Sequence, residues 1–327
     1  MRRFERILFV RTDRMGDVLM NLPAIRLLRQ AFPKSWITMV LDRSLSGLLN
    51  GHPDIDELIL IDTAELKKRR DLRRELSQKI RRASFDLAVV SNAEKWSHAL
   101  VFWARIPVRV GWRRKWSFLL TRSLEDRKSF SARHEIDSNL ALTGLVTDRQ
   151  WDGKFSFSAD EEAKKRIDET FAKEGIRGDL VAIHPGTSHP AKKWDAERFA
   201  EVCDHFQKKG LTVALIGGAE EAGTSAVVAG KSLQKPLDFT GRLDLLQLKA
   251  FLGHPQVKVL ISSDSGPVHI AWIQNTPVVA LYSKDAEGSD PVRWGPKDAK
   301  SKTLHDHLAS VSSAKVCALA EEILAGS

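Results

Sequence analysis

Leu180-Val181-Ala182-Ile183-His184-Pro185-Gly186-Thr187-Ser188-His189-Pro190-Ala191-Lys192-Lys193-Trp194 is a short apolar run that breaks into a polar turn. A run of this length bounded by Pro and Gly reads as a strand buried on both faces, the kind found in a parallel sheet. Asp195 can cap the helix that follows, Ala196–Lys209, and Gly210 can end it. The same strand, turn and helix return downstream. Strands Thr212–Ile216, Leu237–Asp238, Val257–Ser262 and Val278–Leu281 are separated by turns at Gly217-Gly218, Thr240-Gly241 and Asp264-Ser265-Gly266-Pro267, and by helices over Glu220–Lys231, Asp244–Leu252 and Val268–Gln274. A helix over about 312–324 closes the chain and can pack back across either half.

Upstream the rhythm is the same, with strands Ile7–Val10, Trp36–Leu41, Glu57–Ile61, Leu87–Ser91 and Val108–Gly111. Helices fall near Leu22–Ala31, Ser44–Gly51 and Asp71–Arg82. Strands alternating with helices predict an α/β fold of two Rossmann-like doubly wound domains, over 1–158 and 159–327. The 327 residues, 43% of them hydrophobic, suffice for two cores of about 150 residues each. Apolar runs are too short for a membrane span or a signal peptide, and Cys203 and Cys317 lie in helical patterns without metal-ligand spacing. A reducing cytoplasm is the expected location.

The net charge is +9, concentrated in two places. One is Lys67–Arg82; the other holds Arg105, Arg109, Arg113-Arg114-Lys115 and Arg122, interleaved with Trp103, Trp112, Trp116 and Phe118. Such clusters hold nucleic acid, an anionic membrane surface or a phosphorylated substrate, or are simply solvated helix faces. The aromatic interleaving suits a membrane edge.

In an open α/β sheet, ligands bind outside the carboxyl ends of the strands, so the turns carry the chemistry. Arg11-Thr12-Asp13-Arg14-Met15-Gly16-Asp17 follows the first strand. Gly16 permits a tight turn, and Asp17 is a helix-terminal acid or a general base. Thr187, Ser188 and a lysine, Lys192 or Lys193, form a phosphate cradle with the backbone N–H groups of their turn. Asp264, Ser265, Gly266 and Pro267 lead into a helix whose positive end suits a diphosphate, with Asp264 better placed for sugar hydroxyls. His269, one turn in, is a ligand or a core histidine. Glu220 and Glu221, after Gly217-Gly218, are positioned to accept from ribose hydroxyls or to complement a helix dipole. The patterns G-x-G-x-x-G, Walker A and G-x-S-x-G are absent, as is any metal-ligand set.

Taken in order, these residues resemble glycosyltransferase family 9, the ADP-heptose:lipopolysaccharide heptosyltransferases. The resemblance rests on Met15-Gly16-Asp17-Val18 with Pro23, Pro107–Gly111, His134-Glu135 with Asn139-Leu140, His184-Pro185-Gly186, Lys192-Lys193-Trp194, Gly217-Gly218 with Glu220, Thr240-Gly241-Arg242, and Asp264–Pro267 with His269. It implies a GT-B architecture of two facing domains, the first for the acceptor and the second for the nucleotide sugar. It implies an inverting transfer with Asp17 as base. Thr187, Ser188 and Lys192 would hold phosphates, Glu220 or Glu221 the ribose, and Asp264 with Ser265, Gly266 and Pro267 the sugar and diphosphate. ADP-heptose is the implied donor and anionic lipopolysaccharide inner core the acceptor. No cofactor, metal or nucleic acid is implied, and a monomer peripheral to the inner membrane is expected. Asp13 departs from the family's small or hydroxyl residues and places a second carboxylate beside the base. The rival readings are a nucleotide-sugar epimerase of the same architecture, a transferase of another nucleotide sugar, and a nucleic-acid-binding protein.

Overall fold

The computed structural model describes residues 3–92, 94–126, 133–157, 159–187 and 189–326. The chain divides into two compact units, Met1–Ser156 and Phe157–Ser327. The first holds strands β1 (Arg6–Val10), β2 (Trp36–Asp42), β3 (Glu57–Ile61), β4 (Leu87–Val90), β5 (Val108–Arg113) and β6 (Arg122–Glu125). The second holds β7 (Leu180–His184), β8 (Thr212–Leu215), β9 (Leu237–Asp238), β10 (Val257–Ser263), β11 (Val278–Ser283) and β12 (Lys302–Asp306). Both sheets are parallel, in the orders β3-β2-β1-β4-β5-β6 and β12-β11-β10-β7-β8-β9.

Each unit's first strand therefore lies in the middle of its sheet, and the chain reverses its winding beside it. β1 pairs on one side with β2 and on the other with β4. β7 pairs with β8 and β10 in the same way. These are the switch points where doubly wound sheets bind ligands, because loops leave the adjacent strands in opposite directions and open a crevice. Arg11–Asp17 leaves β1; the loops of His184–Lys192 and Asp264–Gly266 leave β7 and β10.

Sequence explains the central strands. Residues 7–10 and 180–184 are buried without a break, so their apolar runs cover both faces of the sheet. The edge strands β6 and β12 are additions to the expected set. Arg122-Ser123-Leu124-Glu125 and Lys302-Thr303-Leu304-His305-Asp306 each offer only one apolar residue, so a pattern of burial is hardly visible in them. Asp195 caps the helix Ala196–Lys208 by accepting from Glu197 N–H at 2.8 Å, and Gly210, at φ +80°, reverses the chain after it.

The last helix, Ser313–Ala325, stays in its own unit. Its Val316, Cys317, Ala320 and Ile323 join Phe199, Cys203 and Phe206 of the helix Ala196–Lys208 over β7, β8, β10 and β11. Both cysteines are free and buried, and burial pushes their thiols up to about 12. Trp194 belongs to this core, its indole donating to Val311 O at 3.0 Å. Among the described residues no helix is long and apolar enough to cross a membrane.

Candidate functional site

In the first unit the loop after β1 is organised by Arg11. This buried arginine donates through Nη1 to Ser91 O and Oγ, at 2.9 and 3.0 Å, and so ties the loop after β1 to the end of β4. Its remaining nitrogens meet two carboxylates: Nη2 pairs with Asp17 Oδ1, and Nε lies 2.6 Å from Asp13 Oδ1. Burial opposes the charge on Arg11, but Asp17, Asp13 and Glu135 outweigh it and raise the guanidinium's pKa. Burial also pushes the Asp13 carboxyl above its usual range, against the pull of Arg11 and with the charge of Asp17 adding to the rise. Asp13 nonetheless keeps 39% of its side chain exposed, against 21% for Asp17.

The loop's backbone is fixed from several directions. Thr12 N–H donates to Asn92 Oδ1 at 3.2 Å, and Thr63 Oγ1 donates to Thr12 O at 3.2 Å. Asn21 Nδ2 donates to Asp17 O at 2.8 Å. Gly16 lies in the one-turn helix Met15–Leu19, with Asp17 in its first turn. Asp17 thus has one oxygen committed to Arg11, while no donor reaches its Oδ2 among the described residues.

In the second unit the turns converge on two polar clusters. One is Lys192 with Asp264: Nζ lies 2.5 Å from Oδ2, which also accepts from Ser289 Oγ at 3.0 Å. Asp264 is 8% exposed and Lys192 18%, so each partner's loss would leave a poorly solvated charge. Lys193 is exposed and makes no ion pair among the described residues. Thr187 Oγ1 accepts from His189 N–H at 3.3 Å, and Ser188 lies outside the described residues.

The other cluster is built around His184. Its Nε2 lies 2.9 Å from Glu221 Oε2, and its Nδ1 lies 3.0 Å from Ser262 Oγ and 3.2 Å from Ser265 Oγ. A carboxylate only accepts, so Nε2 carries the proton toward Glu221, and in the neutral ring Nδ1 accepts. Ser262 already donates to Ser263 O, which leaves Ser265 as the donor to Nδ1. Glu221 Oε2 also accepts from Gly218 N–H at 2.8 Å. Burial works to raise the Glu221 carboxyl, but the hydrogen bond from His184, with the Gly218 N–H, holds it below the usual range. Glu220, its neighbour, is exposed.

Gly266 and Pro267 begin the helix Gly266–Ile273, with Ser265 as its cap residue. His269 is buried inside that helix, where its Nδ1 accepts from Trp272 Nε1 at 3.4 Å. The side chain of Ser263 is buried, and its Oγ has no hydrogen-bond partner among the described residues.

Two organising residues have no assigned role in the sequence reading, Arg11 and His184. Arg11 stands in the quoted turn, and the sign that it is structural is its place directly after an apolar strand. His184 ends another such strand, but its partner Glu221 is 37 positions away. Trp112 is a correction to the aromatic cluster. It is buried in β5, and its indole donates to Ser91 O at 3.1 Å, because the alternation of that strand turns it inward.

Two doubly wound parallel units, each gathering polar groups at its switch point, define an α/β protein of the GT-B class. A family model described as glycosyltransferase family 9 (heptosyltransferase) matches residues 73–321. The chain belongs to this family and is a glycosyltransferase. It is 26% identical to lipopolysaccharide heptosyltransferase 3 of Escherichia coli K12, over 86% of this chain and 82% of that protein. The family 9 glycosyl transferase of Veillonella parvula DSM 2008 superposes with a TM-score of 0.88 at 27% identity, covering 99% of this chain and 98% of that one. The Escherichia coli ADP-heptose lipopolysaccharide heptosyltransferase II superposes with a TM-score of 0.81, covering 98% and 99%; at 22% identity that likeness speaks for the fold alone.

Proposed function

We propose that this chain transfers heptose from ADP-heptose to the anionic inner core of lipopolysaccharide, with inversion, at the cytoplasmic surface of the inner membrane. The observation that carries the reading is Asp17, held by Arg11 through one oxygen and open at the other. An acceptor hydroxyl gives its proton to Asp17 as its oxygen bonds to the anomeric carbon, and the bond from that carbon to the diphosphate breaks with its electron pair going to ADP. Negative charge then grows on the leaving diphosphate, and a fixed cation with fixed dipoles lowers that barrier without reorganising.

In this reading the unit 157–327 takes the donor and the unit 1–156 the acceptor. Lys192 and the turn Thr187-Ser188 meet the phosphates, while Asp264 orients Lys192 and accepts from sugar hydroxyls. Glu221 is favoured over Glu220 for the ribose, because its carboxylate is already held below its usual pKa by His184 and Gly218 and stays ready to accept. Ser265, Gly266 and Pro267 line the diphosphate, and His269 supports their helix from within. The chain works as a monomer, without nucleic acid, metal or cofactor.

The test is incubation of the purified protein with ADP-heptose, with and without a deacylated inner-core acceptor. The reading expects ADP release only when acceptor is present, and an acceptor heavier by one heptose. An epimerised sugar formed without acceptor would replace it with the epimerase reading. Release of ADP only from other sugars would change the donor.

A further inference from the structure

We propose that one face of the first unit docks on an anionic bilayer surface, a face made of the helices Arg70–Arg82 and Lys95–Trp103 and the turn Lys115–Phe118. The inference rests on the lipid-held acceptor of the proposed function and adds the surface that brings the enzyme to it. Among the described residues five large aromatic side chains are exposed, and Phe102, Trp103, Trp116 and Phe118 are four of them. That is a patch rather than scatter, and such patches mark interaction surfaces. Phe118 is 80% exposed.

Trp103 and Trp116 border a hollow of about 1070 Å³ whose walls carry seven Lys and Arg side chains against one acid, Glu94. A second hollow, of about 570 Å³, shares Arg81 and Trp103 with it. Along the helix Arg70–Arg82, Leu76 and Ile80 face the core, while no carboxylate pairs with Arg70, Arg73, Arg74 or Arg81 among the described residues. A helix with apolar residues beneath and unneutralised arginines outside concentrates positive potential beside the exposed rings. Anionic headgroups match the charge, and rings with an apolar body match the headgroup level.

The turn is built rather than loose. Lys115 and Trp116 lie at φ 28° and 55°, a left-handed conformation that costs energy in residues with a side chain. His98 holds it, its Nδ1 lying 2.9 Å from Lys115 O, and Lys95 Nζ lies over the Trp116 ring at 5.8 Å. By contrast Arg109 donates to Leu119 O and Ile106 O, and Arg122 to Leu145 O, so these two brace the backbone.

Co-sedimentation of the full chain with vesicles tests this, using phosphatidylcholine alone and phosphatidylcholine mixed with phosphatidylglycerol. The protein is expected to pellet with the anionic vesicles only, less so as salt rises. Phe118→Ser should lower the partition by about tenfold, and Arg73→Gln with Arg74→Gln by about fivefold per charge, with melting temperatures unchanged. Failure to pellet, equal pelleting with both vesicles, or an undiminished Phe118→Ser variant overturns the docking face. Loss of single-stranded oligonucleotide binding in these variants, without vesicle binding, overturns it in favour of nucleic acid. Transfer to the deacylated, soluble acceptor separates the two claims. If it proceeds without vesicle binding, only the docking face falls; if vesicles bind and transfer is absent, docking stands and the assigned reaction falls.

Discussion

The carboxylate of Glu221 occupies the space that a side chain on residue 186 would need: a Cβ built on Gly186 would lie 1.9 Å from Glu221 Oε1. Gly217 faces the other oxygen, with a Cβ there 2.7 Å from Oε2. Two glycines from different turns thus admit one acid against the backbone, where His184 fixes it.

Gly186→Ala should therefore displace Glu221 and break its bond to His184. Overpacking of this kind costs about 1–3 kcal/mol, which a denaturant titration will read. The donor-induced rise in melting temperature should shrink further than in Glu220→Ala, whose exposed side chain has no place in the cluster. Equal shrinkage in both variants would return the ribose role to an open choice.

Lys192→Ala removes the partner of a carboxylate that is 8% exposed, so the fold loses stability as well as donor affinity. Breaking a buried pair costs about 3–5 kcal/mol, and the partial exposure of Lys192 puts the expected loss at the lower end. Lys193→Ala should change stability by no more than about 0.5 kcal/mol and leave donor affinity alone. Isothermal titration with ADP-heptose decides between them, and a larger affinity loss in Lys193→Ala reverses the assignment.

Lys249 supplies a pH prediction away from the chemistry. It is 4% exposed, with Nζ 4.1 Å from the centre of the Phe157 ring, and burial pulls its pKa from 10.5 down to about 8 although Asp160 works the other way. The unfolded chain then binds more protons than the folded one between pH 8 and 10.5, so stability rises with pH across that window. Below pH 8 the full penalty applies, about 3 kcal/mol. Lys249→Met lacks this slope, so its stability relative to the parent should be greatest near pH 7 and fall toward pH 10. A difference independent of pH contradicts the assignment.

Much of this fold can be read from the chain because central parallel strands are written in unbroken apolar residues, as in Leu180–His184. The edge strands β6 and β12 are not legible, although β3 and β9, which also lie at sheet edges, are. Arg122–Glu125 pairs on one side only, and one leucine is all the burial it records. The turns were legible for the same reason as the strands, since Gly, Pro and hydroxyl residues follow each apolar run. What the sequence could not supply were pairings over long separations. Lys192 meets Asp264 across 72 positions, and Arg11 meets Ser91 across 80, so the roles of Arg11 and His184 emerged only when the strands stood side by side. Trp112 shows the converse error, where composition suggested an exposed ring and strand alternation buried it.

The pair on Arg11 bears most directly on the reaction, since either carboxylate is a chemically competent base. The deciding measurement is acceptor-dependent ADP release from ADP-heptose by the parent, Asp17→Asn and Asp13→Asn, with donor affinity followed in parallel. The account predicts that Asp17→Asn binds donor nearly as the parent does and turns over about 10²–10⁴-fold more slowly, while Asp13→Asn keeps most of its activity. An active Asp17→Asn beside an inactive Asp13→Asn would contradict it and move the base to Asp13.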